Sequence, residues 1–231
     1  MARSALQRGP SPVKPNNLSE SLTVRAYREL EEMIVTLHLE PNAVLSETAL
    51  SEELGIGRTP IREALQRLAR EGLVMILPRK GILVSEINPR KQLLLLEVRR
   101  EVERLLARNG ATRRSDQERQ EFMQIADGME KAALENDDIS FMRFDGALNS
   151  LVAVAARNEY ANRAIGLMHG LSRRFWYVHY KEAADMPLCA RLHAELARRI
   201  ADGDPEGAAE ASDRLIDYVE TFTRATVETG R

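Results

Sequence analysis

The sequence is short of the features that mark several large classes of protein. Among 231 residues there is one cysteine, Cys189, so neither an internal disulfide nor a cysteine-based zinc site can form. No apolar run approaches the roughly 20 residues a helix needs to cross a bilayer, and no membrane partner is expected. Charge of one sign is also lacking: 33 Lys and Arg against 35 Asp and Glu leave a formal net charge of −2. No global basic field advertises a polyanion partner, although a local site stays open. No internal repeat, nucleophile motif or phosphate loop is visible. The opening stretch, MARSALQRGPSPVKPNN, lacks the apolar middle of a secretory signal. It reads as a disordered basic tail over residues 1–17, and a reducing, cytoplasmic setting is expected.

What is present is a large apolar fraction, 44%, enough for one large domain or two small ones. From Leu18 to Leu39 the apolar positions Tyr27, Leu30, Ile34 and Leu37 recur at helical spacing, with Ser19 or Ser21 as the cap and Pro41 just beyond the end. In LSETALSEELG, Ser46 is an N-cap, Leu50 and Leu54 face inward, and Gly55 suits the helix end. A GIG turn leads into RTPIREALQRLAREG, where Thr59 is placed to cap and Pro60 gives up an N–H that would be orphaned anyway. Ile61, Ala64, Leu65 and Leu68 form the inward stripe, and Gly72 ends the helix. LVMIL and ILVSE are β-prone runs joined by PRKG, a hairpin signal with Gly81 at the tip. Helix, helix, tight turn, helix and hairpin is the order of a winged helix-turn-helix.

Beyond Asn88 the spacing predicts six helices, at about 89–112, 115–135, 138–157, 159–181, 187–202 and 205–228. Amphipathic helices joined by short loops argue an antiparallel bundle. The expected fold is therefore mainly α: a winged helix-turn-helix with a small β-hairpin over 18–87, then an all-α bundle over 88–231. The boundary falls near SEINPRK, residues 85 to 91.

Between residues 54 and 70 there are four arginines against one acid, Glu63. Arg58 and Arg62 share the face opposite the apolar stripe, with Gln66 one turn on. On an arbitrary helix such arginines are solvated surface charges; at the start of the third helix of this arrangement they are placed to reach base edges. A bidentate arginine–guanine pair discriminates by about 1–3 kcal/mol. Thr59 and the helix N-terminus can hold a phosphate, and Arg79 and Lys80 on the hairpin can reach the backbone or the minor groove.

The run LGIGRTPIREALQRLAREGLV, followed by PRKGILV, resembles the winged helix-turn-helix of the GntR family of bacterial transcription regulators, over roughly residues 20 to 85. EVRREVERLLA and HAELARRIADGDPEGAAEA are similar to the first helix and the last two helices of the FCD effector domain found in the FadR-type subfamily. The resemblance implies DNA contacts by Arg58, Thr59 and Arg62, joined by Arg79, Lys80 and Gly81 of the wing. Thr48 stands where relatives often carry a basic contact residue. It also implies a ligand-responsive effector domain and a homodimer on a palindromic operator in double-stranded DNA.

The bundle can be read without the family. Asp145 lies on the stripe Phe141, Leu148, Val152, with Asn149 one turn on. His193 lies with Cys189, Leu192, Leu196 and Ile200. Arg99 sits with Leu95, Val102 and Leu106. Buried charges are costly unless paired or bound to something, so these four residues on inward faces suggest a polar cavity. The plainer alternatives are a satisfied core histidine and an Arg99–Asp145 pair. Arg99 is the best carboxylate anchor, and Arg173 or Arg174 could add a second or be surface charges. Trp176 and Tyr177 line the cavity or fill the core.

Many FCD domains hold a divalent metal with one Asp and three His. The resemblance places the Asp at Asp145 and the second His at His193. Asn149 stands at the first His position and Leu215 at the third. No tight metal site and no required cofactor are expected, with Asp145 and His193 as the remnant pair for a weakly held divalent cation. The expected function is a DNA-binding repressor controlled by a small metabolite, a carboxylate by preference, and not an enzyme. Two alternatives remain: a regulator whose bundle only dimerises, and, more remotely, an enzyme using Asp145 and His193 as acid and base.

Overall fold

The computed structural model describes residues 21–77, 81–183 and 185–228. The expected tail over 1–17 and the hairpin residues Arg79 and Lys80 lie outside them. Helix α1 (Leu22–Val35) starts at Ser21, whose Oγ accepts the Val24 N–H at 3.3 Å. A short strand β1 (Val44–Leu45) follows. Helix α2 (Glu47–Leu54) is capped by Ser46 and ends at Gly55, which takes a left-handed φ of 62°. Helix α3 (Arg58–Arg70) buries Ile61, Ala64, Leu65 and Leu68, the four residues its periodicity singles out. Its N-cap is Gly57, with no side-chain hydrogen bond. Thr59 therefore lies inside the first turn and does not cap it.

Strands β2 (Val74–Leu77) and β3 (Gly81–Val84) pair antiparallel, with Val74 opposite Val84 and Leu77 opposite Gly81. Gly81 is thus the first residue of β3, not the hairpin tip, and its φ of 91° is open to glycine and strained for other residues. The expected hairpin is in fact a three-stranded sheet of order β1-β3-β2, because Val44 and Leu45 pair with Leu83 and Ile82. Two residues cannot show an alternation, so β1 left no mark in the sequence pattern.

The six later helices run close to the expected bounds: α4 (Pro89–Arg113), α5 (Asp116–Glu135), α6 (Asp138–Ala155), α7 (Glu159–Ala183), α8 (Met186–Asp202) and α9 (Pro205–Glu228). Local chemistry explains the starts. Asn88 Oδ1 accepts the Arg90 and Lys91 N–H groups ahead of α4. Ser115 and Glu118 form a reciprocal capping box at α5. The bundle core is built around Phe122, Met129, Leu148 and Ile200, while Leu30, Ile34, Leu65 and Leu68 anchor a separate core in the N-terminal part.

The two cores meet through α7. Arg174, 2% exposed, donates to the carbonyl oxygens of Ser85 and Glu86 in the linker. Gln92 Nε2 donates to Ser172 Oγ at 3.0 Å. Gly170 lets Leu73 approach so closely that a Cβ there would lie 2.7 Å from the Leu73 Cδ1. Leu73 is fully buried, so it has little room to yield. Gly170→Ala is expected to overpack this joint and lower stability by about 1–3 kcal/mol. A urea titration unchanged from the wild type would show that the joint is looser than this contact implies.

Candidate nucleic-acid interface and effector cavity

On the outer face of α3, Arg58 and Arg62 remain 61% and 55% exposed. Both converge on one acid that sequence reasoning missed. Arg62 Nε and Nη2 donate to the two carboxylate oxygens of Glu47, at 3.0 and 2.8 Å, and Arg58 Nη2 lies 4.0 Å from Glu47 Oε2. The Arg62 hydrogen bond holds the Glu47 carboxyl below its ordinary range. Glu47 is the first residue of α2 and Thr48 is its neighbour, so the expected contact positions Thr48, Arg58, Thr59 and Arg62 gather at the N-terminal ends of two helices. The other arginines on α3 are not equivalent to these. Arg67 stacks on the Tyr27 ring at 3.5 Å and bonds Glu71, a structural role.

In the bundle, α4, α6, α7, α8 and α9 surround a hollow with two lobes that share Arg99, Asp145, Asn149, His169 and His193. The larger lobe offers about 70 Å³ to the centres of water molecules and the smaller about 50 Å³. One water needs about 10–15 Å³ on this measure, so the space suits a small organic molecule. Phe141, Trp176 and Arg173 also line the larger lobe, and Ser212 and Leu215 the smaller one. The four positions aligned with a family metal site therefore do face one cavity.

Their chemistry is a closed set of contacts. His193 Nδ1 donates to the Cys189 carbonyl oxygen at 2.7 Å, and its Nε2 lies 3.2 Å from Asp145 Oδ1. Asn149 Nδ2 donates to the same oxygen at 3.1 Å. Burial opposes the charge on His193, but its neighbours Cys189 and Asp145 outweigh this and raise it well above the ordinary value. Burial keeps the Cys189 thiol high and protonated, so Asp145 is the counter-charge that matters. Burial likewise opposes ionisation of Asp145, and the His193 hydrogen bond with the charges nearby more than compensates, leaving its carboxyl low. Leu215 adds only hydrocarbon. Among the described residues, no group of three His, Cys, Asp or Glu is placed to hold a metal ion.

The remaining candidates sort differently from the sequence reading. Arg99 does not pair with Asp145; it bonds Glu103, one turn along α4, at 2.6–2.7 Å. His169 lies on the cavity wall 4.0 Å from Glu103, and burial with the charge of Arg99 lowers its basicity. Arg173 belongs to the cavity and Arg174 to the linker joint. Trp176 lines the cavity, while Tyr177 is 37% exposed. The Ser212 side chain, 1% exposed on α9, has a hydroxyl with no hydrogen-bond partner. Nothing in spacing marked Glu47, Glu103, His169 or Ser212, because their partners come from other helices or from a face that reads as ordinary core.

Arg58→Ala and Arg62→Ala are each expected to weaken binding to a DNA fragment selected from a random pool by about 10- to 100-fold. Fluorescence anisotropy would measure this. Wild-type affinity in both variants would remove these arginines from base readout.

Comparison with known proteins bears on both sites. Residues 22–84 match the model of bacterial regulatory proteins of the gntR family, and residues 94–218 match the FCD domain. A transcriptional regulator from an unstable DNA locus of Streptomyces ambofaciens is 48% identical over 63 residues, 27% of this chain and 27% of that protein. A regulator of Agrobacterium vitis is 39% identical over 64 residues, 28% of this chain and 37% of that protein; the chain thus matches well under two thirds of both. The transcriptional repressor RspR of Escherichia coli is 25% identical over 209 residues, 90% of this chain and 91% of that protein. Among solved structures, McbR/YncC of E. coli superposes with a TM-score of 0.74 at 18% identity, over 90% of this chain and 99% of that one. These relatives are transcription regulators, not enzymes. No helix among the described residues is long and apolar enough to cross a membrane. The chain belongs to the GntR family of transcription regulators, with a DNA-binding winged helix followed by an FCD domain.

Proposed function

We propose that this regulator is a homodimeric repressor whose hold on a palindromic operator is set by a small carboxylate in the bundle cavity. The observation that carries this reading is the cavity itself, where charged groups from four helices line two adjoining lobes, with Trp176 on the larger and the orphan Ser212 hydroxyl on the smaller. A buried hydroxyl without a partner costs free energy, and a polar ligand would supply the missing bond. Arg58, Thr59 and Arg62, with Thr48 and the wing residues Arg79, Lys80 and Gly81, would contact the duplex. A single winged helix reads one half-site, and a two-fold protein matches a palindrome. A dimer is further supported by Leu94, Val98 and Leu105, which are 63%, 53% and 44% exposed and share one face of α4. Such a stripe of apolar residues marks a surface suited to a partner. The repressor named among the relatives supports the sense of regulation.

In this reading the cavity works without a metal. A transition metal would find one imidazole already turned to Asp145, an amide that donates to the same carboxylate, and a leucine; this set does not fit it. Purified protein is expected to carry far less than one equivalent of zinc or nickel by mass spectrometry, with no thermal shift on adding either. Stoichiometric metal that survives dialysis would overturn the metal-free reading.

Trp176 is the chain's one tryptophan, so it reports on the cavity directly. A screen of small carboxylates is expected to find compounds that change its fluorescence and shift operator affinity by about 5- to 150-fold. A complete absence of response would favour a bundle that only dimerises.

A further inference from the structure

Arg173 occupies two places at once. It lines the larger lobe of the cavity, and its Nη1 donates to both carboxylate oxygens of Glu31, at 2.8 and 2.9 Å. Glu31 is not part of the bundle: it lies on α1, inside the DNA-binding domain, and is 8% exposed. The rest of the guanidinium is under-used. Its Nε is buried and has no hydrogen-bond partner, while its charge reaches Asp145 and His169 on the cavity wall. The neighbours of Arg173 bind the same boundary, Ser172 to Gln92 and Arg174 to Ser85 and Glu86. Three consecutive residues of α7 thus hold the start of α4, helix α1 and the linker. Of the three, Arg173 alone joins the cavity to a charged side chain of the DNA-binding domain.

The charges decide what the cavity would accept. Arg99 and His193 each already face a carboxylate, Glu103 and Asp145. Arg173 is the cation whose carboxylate partner comes from outside the bundle. An anion of a few heavy atoms, seated in the larger lobe against Arg173, could take two parallel hydrogen bonds from the guanidinium. Glu31 would then be left buried without its cation, and α1 would lose its ionic tie to α7.

Building on the cavity as the effector site, we propose that a small monoanionic carboxylate draws Arg173 away from Glu31, and that this exchange of partners carries the effector signal to the DNA-binding domain. Two sites joined by one residue with two alternative partners form a two-state element, the physical requirement for such coupling.

The exchange has a signature that simple ligand contact lacks. Glu31 does not touch the cavity, yet its pairing competes with the ligand. Breaking the pair in advance removes that competition and raises apparent affinity. The test uses the full-length protein, with acetate, lactate and pyruvate as probes, Trp176 fluorescence as the binding readout, and anisotropy on a selected operator fragment. Glu31→Gln, nearly isosteric, is expected to bind the responding carboxylate about 5-fold or more tightly than wild type. The effect of that carboxylate on operator affinity should shrink toward none. Arg173→Gln is expected to lose both the fluorescence response and the operator response, which tests the exchange independently if Glu31→Gln fails to fold. A wild-type protein that ignores all three probes would overturn both the inference and the reading of the cavity on which it rests. Wild-type affinity and wild-type operator response in Glu31→Gln, with both lost in Arg173→Gln, would keep the cavity and overturn the exchange. An operator response retained in Arg173→Gln would also overturn it.

Discussion

The Arg174 guanidinium is buried against the linker with no carboxylate beside it, and backbone carbonyl oxygens of Ser85 and Glu86 solvate it in place of water. Burial pulls its basicity down to about 10, which still leaves it charged at neutral pH. A buried cation is tolerable only while its acceptors stay in position; stripping partners from such a charge costs about 3–5 kcal/mol. The linker is therefore held at one spacing from α7. Gly170 against Leu73 and Ser172 against Gln92 add packing and hydrogen bonding along the same stretch of helix. With the Arg173–Glu31 pair, these contacts help to place the winged helix relative to the cavity, and close packing leaves such a joint little continuous play.

Much of this was legible in the sequence, for reasons that can be named. The inward stripe of α3 and the cap Ser46 are local signals, written within one or two turns, and local signals survive into the fold. The six bundle helices were visible for the same reason. β1 was not, because it exists only through pairing with β3. The cavity was legible as far as each residue's own helix could show: Asp145, Asn149 and His193 point inward because their stripes do. Their partners were another matter. An Arg99–Asp145 pair stood as the plainer alternative to a cavity, yet Arg99 bonds Glu103 on its own helix, and Asp145 is taken by His193 and Asn149. Choosing between partners depends on how far helices are apart and how they are rotated, which a single chain without an alignment does not encode in any window. Arg173 and Arg174 make the point most clearly. They are adjacent and identical in type, and 100° of helical rotation sends one into the cavity and the other into the linker.

Inside the bundle, the His193 imidazole and the Asp145 carboxylate are directed at each other, and the Asn149 amide joins them on the same oxygen. What results is a cross-tie between α6 and α8.

Glu47 has a consequence for how such a protein moves through a genome. The two arginines at the head of α3 share one acid of the same molecule, so part of their charge is already balanced. Random DNA offers phosphates at every step but guanine edges in the right register only rarely. A phosphate alone must compete with Glu47 for the guanidinium groups, whereas a correct site repays the exchange with hydrogen bonds to bases. If Arg58 and Arg62 read bases as proposed, encounters with wrong sequences would be shortened, and the time lost on them would fall. In a chromosome where wrong sites outnumber right ones by about a millionfold or more, residence on the wrong ones sets the pace of the search.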